Sequence, residues 1–233
     1  MLTLRALGAG YGGGQVLDGV DAEVRDGELV ALLGRNGSGR STLLRAVMGL
    51  LPSRGEIVWN GQSLQGLPTF EIARRGVGYV PEQRDIFPSL TVRQNLELGR
   101  PGGIVRRPAT IELDEVWSRF PSLRERRDTP AGVLSGGEQQ MLALCRTLLG
   151  GPSLVLVDEP TEGLAPQWVA AVATLLQDLR RRGVAVLLAE QKLAIALQVA
   201  DRCLVLGGGR VVFDGRPCEL LEAHALRREW LEV

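Results

Sequence analysis

Three stretches of this chain, Leu29–Leu33, Leu154–Val157 and Val184–Ala189, are apolar without interruption. Each is far shorter than the roughly 20 residues that span a bilayer. None alternates polar with apolar, as a strand with one wet face would. Unbroken runs of this length suit strands covered by helices on both faces, so the chain is directed toward a parallel-sheet core. Ala165–Gly183, between the second and third runs, reads as the crossover helix of such a sheet. The N-terminal segment differs: LTLRAL, GAGYGGG and VLDGVDAEV read as two antiparallel strands joined by a glycine-rich turn, and GEIVWNGQSL and GVGYVP add further strand signals.

From Ser89 to Gly132 the apolar spacing turns helical and is interrupted by Pro and Gly, which predicts a helical insertion. LSGGEQQ, Leu134–Gln140, places Ser135 as a helix N-cap with Glu138 three residues on, a capping box. RCLVLGGGRVVFDG reads as a hairpin, followed by one short amphipathic helix through Trp230. With 233 residues, 45% of them hydrophobic, the chain is long enough to bury a substantial core, which excludes disordered and fibrous classes. Lys+Arg and Asp+Glu both number 27, so no global positive field draws the chain to nucleic acid or anionic lipid. The start lacks a secretory pattern, and a cytosolic chain is expected. Cys145, Cys203 and Cys218 stand far apart without a CxxC pair, and are read as reduced thiols.

The chemistry begins where the first apolar run ends. Gly34–Thr42 reads GRNGSGRST and leads into the helix-like LLRAVMGL. Such a loop turns several backbone N–H groups toward one phosphate chain and adds a helix N-terminus. Gly37 and Gly39 permit close backbone approach, Ser41 can offer its hydroxyl to Mg²⁺, and Thr42 can donate to a phosphate oxygen. A tight strand-to-helix turn would explain the loop taken alone, but two later motifs weigh against it. Asp158 ends an apolar run, where a carboxylate can hold Mg²⁺ through water, and Glu159 beside it can orient or deprotonate an attacking water. LSGGEQQ supplies a second phosphate-binding surface at a helix start. Two such surfaces on one chain make most sense if each nucleotide is sandwiched between the loop of one subunit and the LSGGEQQ of another.

With these motifs in this order, the chain resembles the ATP-binding subunits of ABC transporters over essentially its whole length. The resemblance implies an α/β P-loop NTPase fold of the ABC ATPase type: one domain over residues 1–233 with a parallel-sheet core, an N-terminal antiparallel β portion, and a helical subdomain at 89–145. It implies ATP and Mg²⁺ as cofactors, held by Gly34, Asn36, Gly37, Ser38, Gly39, Arg40, Ser41 and Thr42 on one side and by Ser135, Gly136 and Gly137 on the other. Tyr11 stands where the family stacks an aromatic ring on adenine, worth about 1–3 kcal/mol, although a tyrosine in a hairpin turn can also be a plain surface residue. Ser41, Asp158 and Glu82 are the expected metal contacts, and Glu159, Glu82 and Gln191 the expected catalytic groups. VPEQRDIFPSLTVRQNL, DEPTEGLAP and LLAEQKLAIALQVADR are similar to the subgroup that energises uptake of branched-chain amino acids, with urea and short-amide importers as near relatives. That subgroup implies a second ABC ATPase (a heterodimer, with a homodimer as the alternative), two transmembrane permeases and an extracytoplasmic solute-binding protein. It places the chain peripherally on the cytoplasmic face of the inner membrane, without a nucleic-acid partner.

Three positions depart from the wider family's pattern. Arg40 replaces the usual lysine; its planar fork is wider than a compact ammonium, so hydrolysis at this loop is expected to suffer more than binding. Glu82 stands where glutamine is usual and could touch Mg²⁺ directly, yet a carboxylate there repels phosphate unless a metal intervenes. Gln191 matches the switch histidine and can donate a hydrogen bond to the γ-phosphate, but carries no charge. His224, the chain's single histidine, is read as solvated or packed, not catalytic. Arg84, Asp85, Phe87 and Pro88 resemble the surface that grips a permease coupling helix, with ordinary core packing of Phe87 as the competing view. A weak or regulatory local loop whose LSGGEQQ completes a partner's site is the alternative to an active one.

Overall fold

The computed structural model describes residues 1–100 and 111–231. The strands are β1 Leu2–Tyr11, β2 Gly14–Val24, β3 Leu29–Leu33, β4 Ser53–Trp59, β5 Gln62–Ser63, β6 Val77–Val80, β7 Leu154–Asp158, β8 Ala185–Ala189, β9 Arg202–Gly207 and β10 Arg210–Gly215. The helices are α1 Arg40–Val47, α2 Thr69–Arg74, α3 Val92–Leu98, α4 Leu113–Arg119, α5 Pro121–Glu125, α6 Gly136–Leu149, α7 Pro166–Arg181, α8 Leu193–Val199, α9 Pro217–Glu222 and α10 His224–Trp230.

The strands form two sheets, an antiparallel one in the order β2-β1-β4-β5 and a larger one in the order β10-β9-β3-β8-β7-β6. In the larger sheet β9, β3, β8, β7 and β6 run parallel, and only the β9–β10 hairpin at its edge is antiparallel. The three uninterrupted apolar runs become β3, β7 and β8, and every residue of these strands is buried. Alternation across the pleat explains why they needed no polar face. Leu154, Leu156, Ala185 and Leu187 turn to one side, where Leu43, Leu44 and Val47 of α1 fill the space beneath the antiparallel sheet. Val155, Val157, Val186 and Leu188 turn to the other side and meet α3 to α7.

The predicted capping box on α6 forms: the Ser135 side chain accepts from the Glu138 amide at 3.4 Å while Glu138 Oε2 accepts from the Ser135 amide at 2.9 Å. A second box, Thr91 with Gln94, starts α3. Helices α3, α4 and α5 lie in the stretch expected to be helical, of which residues 101–110 fall outside the described set. The C-terminal stretch departs from the expected single helix. It breaks at Ala223 into α9 and α10, which lets the Trp230 ring lie over Gly207, where a Cβ would come within 2.5 Å of it. The three cysteines are free, and burial pushes the Cys145 thiol up to about 12, far from reactivity. Among the described residues no helix is long and apolar enough to cross a membrane.

Candidate functional site

The carboxyl ends of β3 and β7, with β8 between them, open onto the same end of the large sheet, where open α/β sheets place their ligands. Between β3 and α1 the loop turns on Gly39, whose φ of 105° lies in the left-handed region that a side chain disfavours; a Cβ there would also fall 2.7 Å from Leu17. The loop, Tyr11, Glu82, Glu159 and Glu162 line a cleft of about 410 Å³. A larger cleft of about 720 Å³, beside β1, β2 and β10, is lined by ionised groups already committed to internal contacts. There Arg202 pairs with Glu28 and Asp214, and Asp21 accepts from the Ala6 amide.

Two buried donors in the loop have no protein partner, Ser38 Oγ and Arg40 Nε. Leaving a buried polar atom unpaired costs about 1–3 kcal/mol, so both suit a loop shaped for an anion. The rest of the Arg40 side chain is engaged. It is only 4% exposed, its Nη1 donates to the Arg35 carbonyl at 3.2 Å, and its Nη2 reaches Asn36 Oδ1 at 3.5 Å and forms an ion pair with Glu159. Glu159 adopts φ 43°, a left-handed conformation that costs a non-glycine residue about 1–2 kcal/mol and directs its carboxylate into the cleft.

Asp158 is fully buried. Ser41 Oγ donates to its Oδ1 at 2.9 Å and the Tyr79 hydroxyl to its Oδ2 at 3.3 Å. Burial, then the neighbouring Glu159 charge, raises the Asp158 pKa, and burial with the Asp158 charge pushes Tyr79 up to about 12. Burial also raises Glu82, followed by repulsion from Glu162, Glu159 and Asp158. Crowded carboxylates of this kind invite a divalent cation. The donors are hydroxyl and carboxylate oxygens, as a hard cation prefers, and no cage of three or more acidic, His or Cys groups exists among the described residues. That set fits Mg²⁺, which takes one or two protein ligands and completes its shell with phosphate and water.

The remaining expected residues sit elsewhere. Gln191 is exposed and does not line the cleft, and neither do Ser135, Gly136 and Gly137. At the start of α6, Ser135 is exposed while Gly137 is buried beneath Trp168 of α7; a Cβ there would meet the indole at 2.2 Å. At Gly136 a Cβ would lie 3.0 Å from the Arg84 guanidinium. Phe87 is 49% exposed with the Arg146 guanidinium 5.1 Å from its ring centroid, which rules out its packing in the core. Sequence reasoning missed four contributors. Tyr79 and Arg45 connect Asp158 to Tyr11, whose hydroxyl accepts from Arg45 at 3.2 Å. Thr161 donates to buried Glu190 at 2.7 Å, and Glu190 accepts the Gln191 and Lys192 amides, which ties the ends of β7 and β8 together. A signal existed for Glu190, a carboxylate directly after a buried apolar strand.

The ABC transporter family model matches residues 17–162, more than half of the chain. This chain belongs to the ABC transporter family. It is an ATP-hydrolysing cassette of the kind that dimerises and works with transmembrane permease subunits. It is 41% identical to the high-affinity branched-chain amino acid transport ATP-binding protein BraG of Pseudomonas aeruginosa over 99% of each chain. It is 32% identical to the lipopolysaccharide export system ATP-binding protein LptB of Haemophilus influenzae, over 99% of this cassette and 97% of that protein. Among solved structures, an ATP-binding subunit of an ABC transporter superposes with a TM-score of 0.84 at 30% identity, covering 97% of this chain and 94% of that one. The expected ABC ATPase fold is thereby shown, as is its role as an ATP-binding transport subunit.

Proposed function

We propose that this cassette powers import of branched-chain amino acids as a peripheral subunit on the cytoplasmic face of the inner membrane. In this reading it pairs with a second ABC ATPase, a heterodimer in preference to a homodimer, on two permeases served by an extracytoplasmic solute-binding protein. One observation carries the nucleotide part: the cleft holds half of a site, lined by the loop, Tyr11, Glu82 and Glu159 but by no residue of LSGGEQQ. The other half then comes from the partner, and Ser135, Gly136 and Gly137 of this chain complete the partner's cleft, borne on a helical subdomain at 89–145.

Gly34, Asn36, Gly37, Ser38, Gly39, Arg40 and Thr42 bind the triphosphate, and Tyr11 stacks on adenine. Mg²⁺, when bound, would offset phosphate charge, and Ser41, Asp158 and Glu82 would hold it. Glu159 accepts the proton of the water that attacks the γ-phosphorus as the bond to ADP breaks, and Gln191 donates to the transferred phosphate after the β8 end loop moves toward the cleft. The 41% identity to a branched-chain amino acid protein, against 32% to a lipopolysaccharide export protein, supports the substrate class over the lipopolysaccharide alternative. Vesicles holding this cassette with its cognate permeases and partner ATPase should hydrolyse ATP faster when the solute-binding protein is loaded with leucine, isoleucine or valine. Stimulation by urea or acetamide in their place would overturn the substrate.

Arg84 and Asp85 both adopt left-handed backbone, at φ 66° and 43°, and so hold the exposed Phe87 at the surface next to Arg146. This patch is the proposed permease grip. Phe87→Ala should weaken permease association about tenfold, the loss of roughly 1.4 kcal/mol from one buried aromatic anchor, and leave nucleotide affinity unchanged. Pull-down of permease by the variant cassette checks it, and unchanged association counts against the grip.

The alternative of a hydrolysis-impaired local loop is supported by Arg40 itself, whose planar fork stands in place of a compact ammonium.

A further inference from the structure

Arg40 and Glu159 belong to different motifs, 119 residues apart, yet they are bonded to each other. The guanidinium is 4% exposed and the carboxylate 12%, so water screens the pair little. Every Arg40 N–H group that has a partner is turned onto this chain's own acceptors, namely the Arg35 carbonyl, Asn36 Oδ1 and Glu159 Oε1, while Nε is buried with none. A loop arginine cannot grip a triphosphate with its Nη groups and keep all three of these contacts. The Glu159 backbone is held by its amide donating to the Ala189 carbonyl at 2.9 Å, so the released carboxylate is free to move by side-chain rotation alone.

We propose that Arg40 and Glu159 form a latch: without nucleotide the loop arginine holds the carboxylate that would activate water, and a triphosphate frees Glu159 by taking the guanidinium for itself. The proposal rests on the nucleotide-site reading above and adds a gate to it. The latch has a thermodynamic cost at the binding step, because an equilibrium between latched and open loops divides the apparent dissociation constant by the open fraction and so weakens binding. It also keeps the proposed general base occupied until substrate arrives.

Simple repulsion between Glu159 and phosphate gives a different pattern, and a double-mutant cycle separates the two. MgATP affinity of the full chain is measured for the unmodified protein, Glu159→Gln, Arg40→Ala and the double variant, at a protein concentration that keeps it monomeric. The latch predicts that Glu159→Gln tightens binding about tenfold when Arg40 is present and less than about threefold in the Arg40→Ala background. Repulsion predicts an equal or larger gain in the Arg40→Ala background, where no cation shields the phosphate; that ordering overturns the latch, as does the absence of any gain with Arg40 present. Thermal melting supplies a second readout. Glu159→Gln should lower the melting temperature without nucleotide, by leaving a buried guanidinium without its countercharge, and should not lower it at saturating MgATP. A fall of equal size in both conditions also overturns it. If neither the unmodified chain nor any variant binds MgATP, the nucleotide-site reading itself fails and the latch with it; if binding is intact and the cycle is additive, the latch alone fails.

Discussion

Arg40→Lys should raise single-turnover ATP cleavage at this loop about 10²-fold in the assembled pair of ATPases, equivalent to ~3 kcal/mol of barrier. An ammonium is a compact point charge that can sit beside the terminal phosphates, whereas the guanidinium spreads its charge over a wide planar fork. Spoiling one electrostatic contact of the transition state costs a factor on the order of 10²–10³, and restoring it returns a gain of that size. The structure adds a second reason. The arginine pairs with Glu159 in the empty site, so a triphosphate must first draw the guanidinium away from the proposed base before cleavage. Rapid-quench measurement with ATP limiting, on the native pair and on the pair carrying the variant, decides the point. Equal rates would show that the guanidinium serves as well as lysine. MgATP affinity is expected to change far less than the rate.

Ser135→Arg in this chain should lower the ATPase rate of the assembled pair about 10²-fold or more, while Glu159→Gln in this chain should lower it less than about threefold. The asymmetry follows from where each residue acts. Ser135 is exposed at the start of α6, with its glycines backed by Arg84 and Trp168, so the surface it presents is firm and ready for a nucleotide held by another loop. A long cation there removes the hydroxyl, obstructs the approach and strips the cap from α6, at a further cost of about 1 kcal/mol to the helix. Glu159 is proposed to serve only this chain's own loop, which Arg40 is expected to slow. Steady-state hydrolysis by mixed complexes carrying one variant at a time is the measurement. A larger loss from Glu159→Gln would mean that the local loop carries the turnover and that the impaired-loop alternative is wrong.

The parts of the site that lie within one motif were legible before any coordinates, because the chemistry of such a motif is local. The glycine at 39 is needed for a turn of φ 105°, and Ser135 and Glu138 cap each other across three residues. What could not be read were contacts between groups whose neighbours in sequence say nothing of them. Tyr79 looked like one residue of a strand, and Trp168 like one apolar position of a helix, until the sheet order set β6 beside β7 and α7 against the start of α6. Glu190 followed a buried run in the same way as Asp158, yet it was absorbed by Thr161 and two backbone amides instead of facing the cleft. The single C-terminal helix failed for a related reason: the periodicity of α9 and α10 reads through Ala223, but docking Trp230 on Gly207 requires a bend there.

The sequence by itself determined the fold class and the family, because buried parallel strands demand unbroken apolar runs and phosphate-binding loops demand glycine and hydroxyl residues at set spacings, and both are properties of short windows. It also identified Arg40 as the anomalous residue. Only the tertiary structure decided what that anomaly touches: Arg40 and Glu159 lie 119 residues apart and meet because β3 and β7 open onto the same end of one sheet. A pairwise contact of that kind depends on angles summed over the whole chain, and no local pattern encodes it.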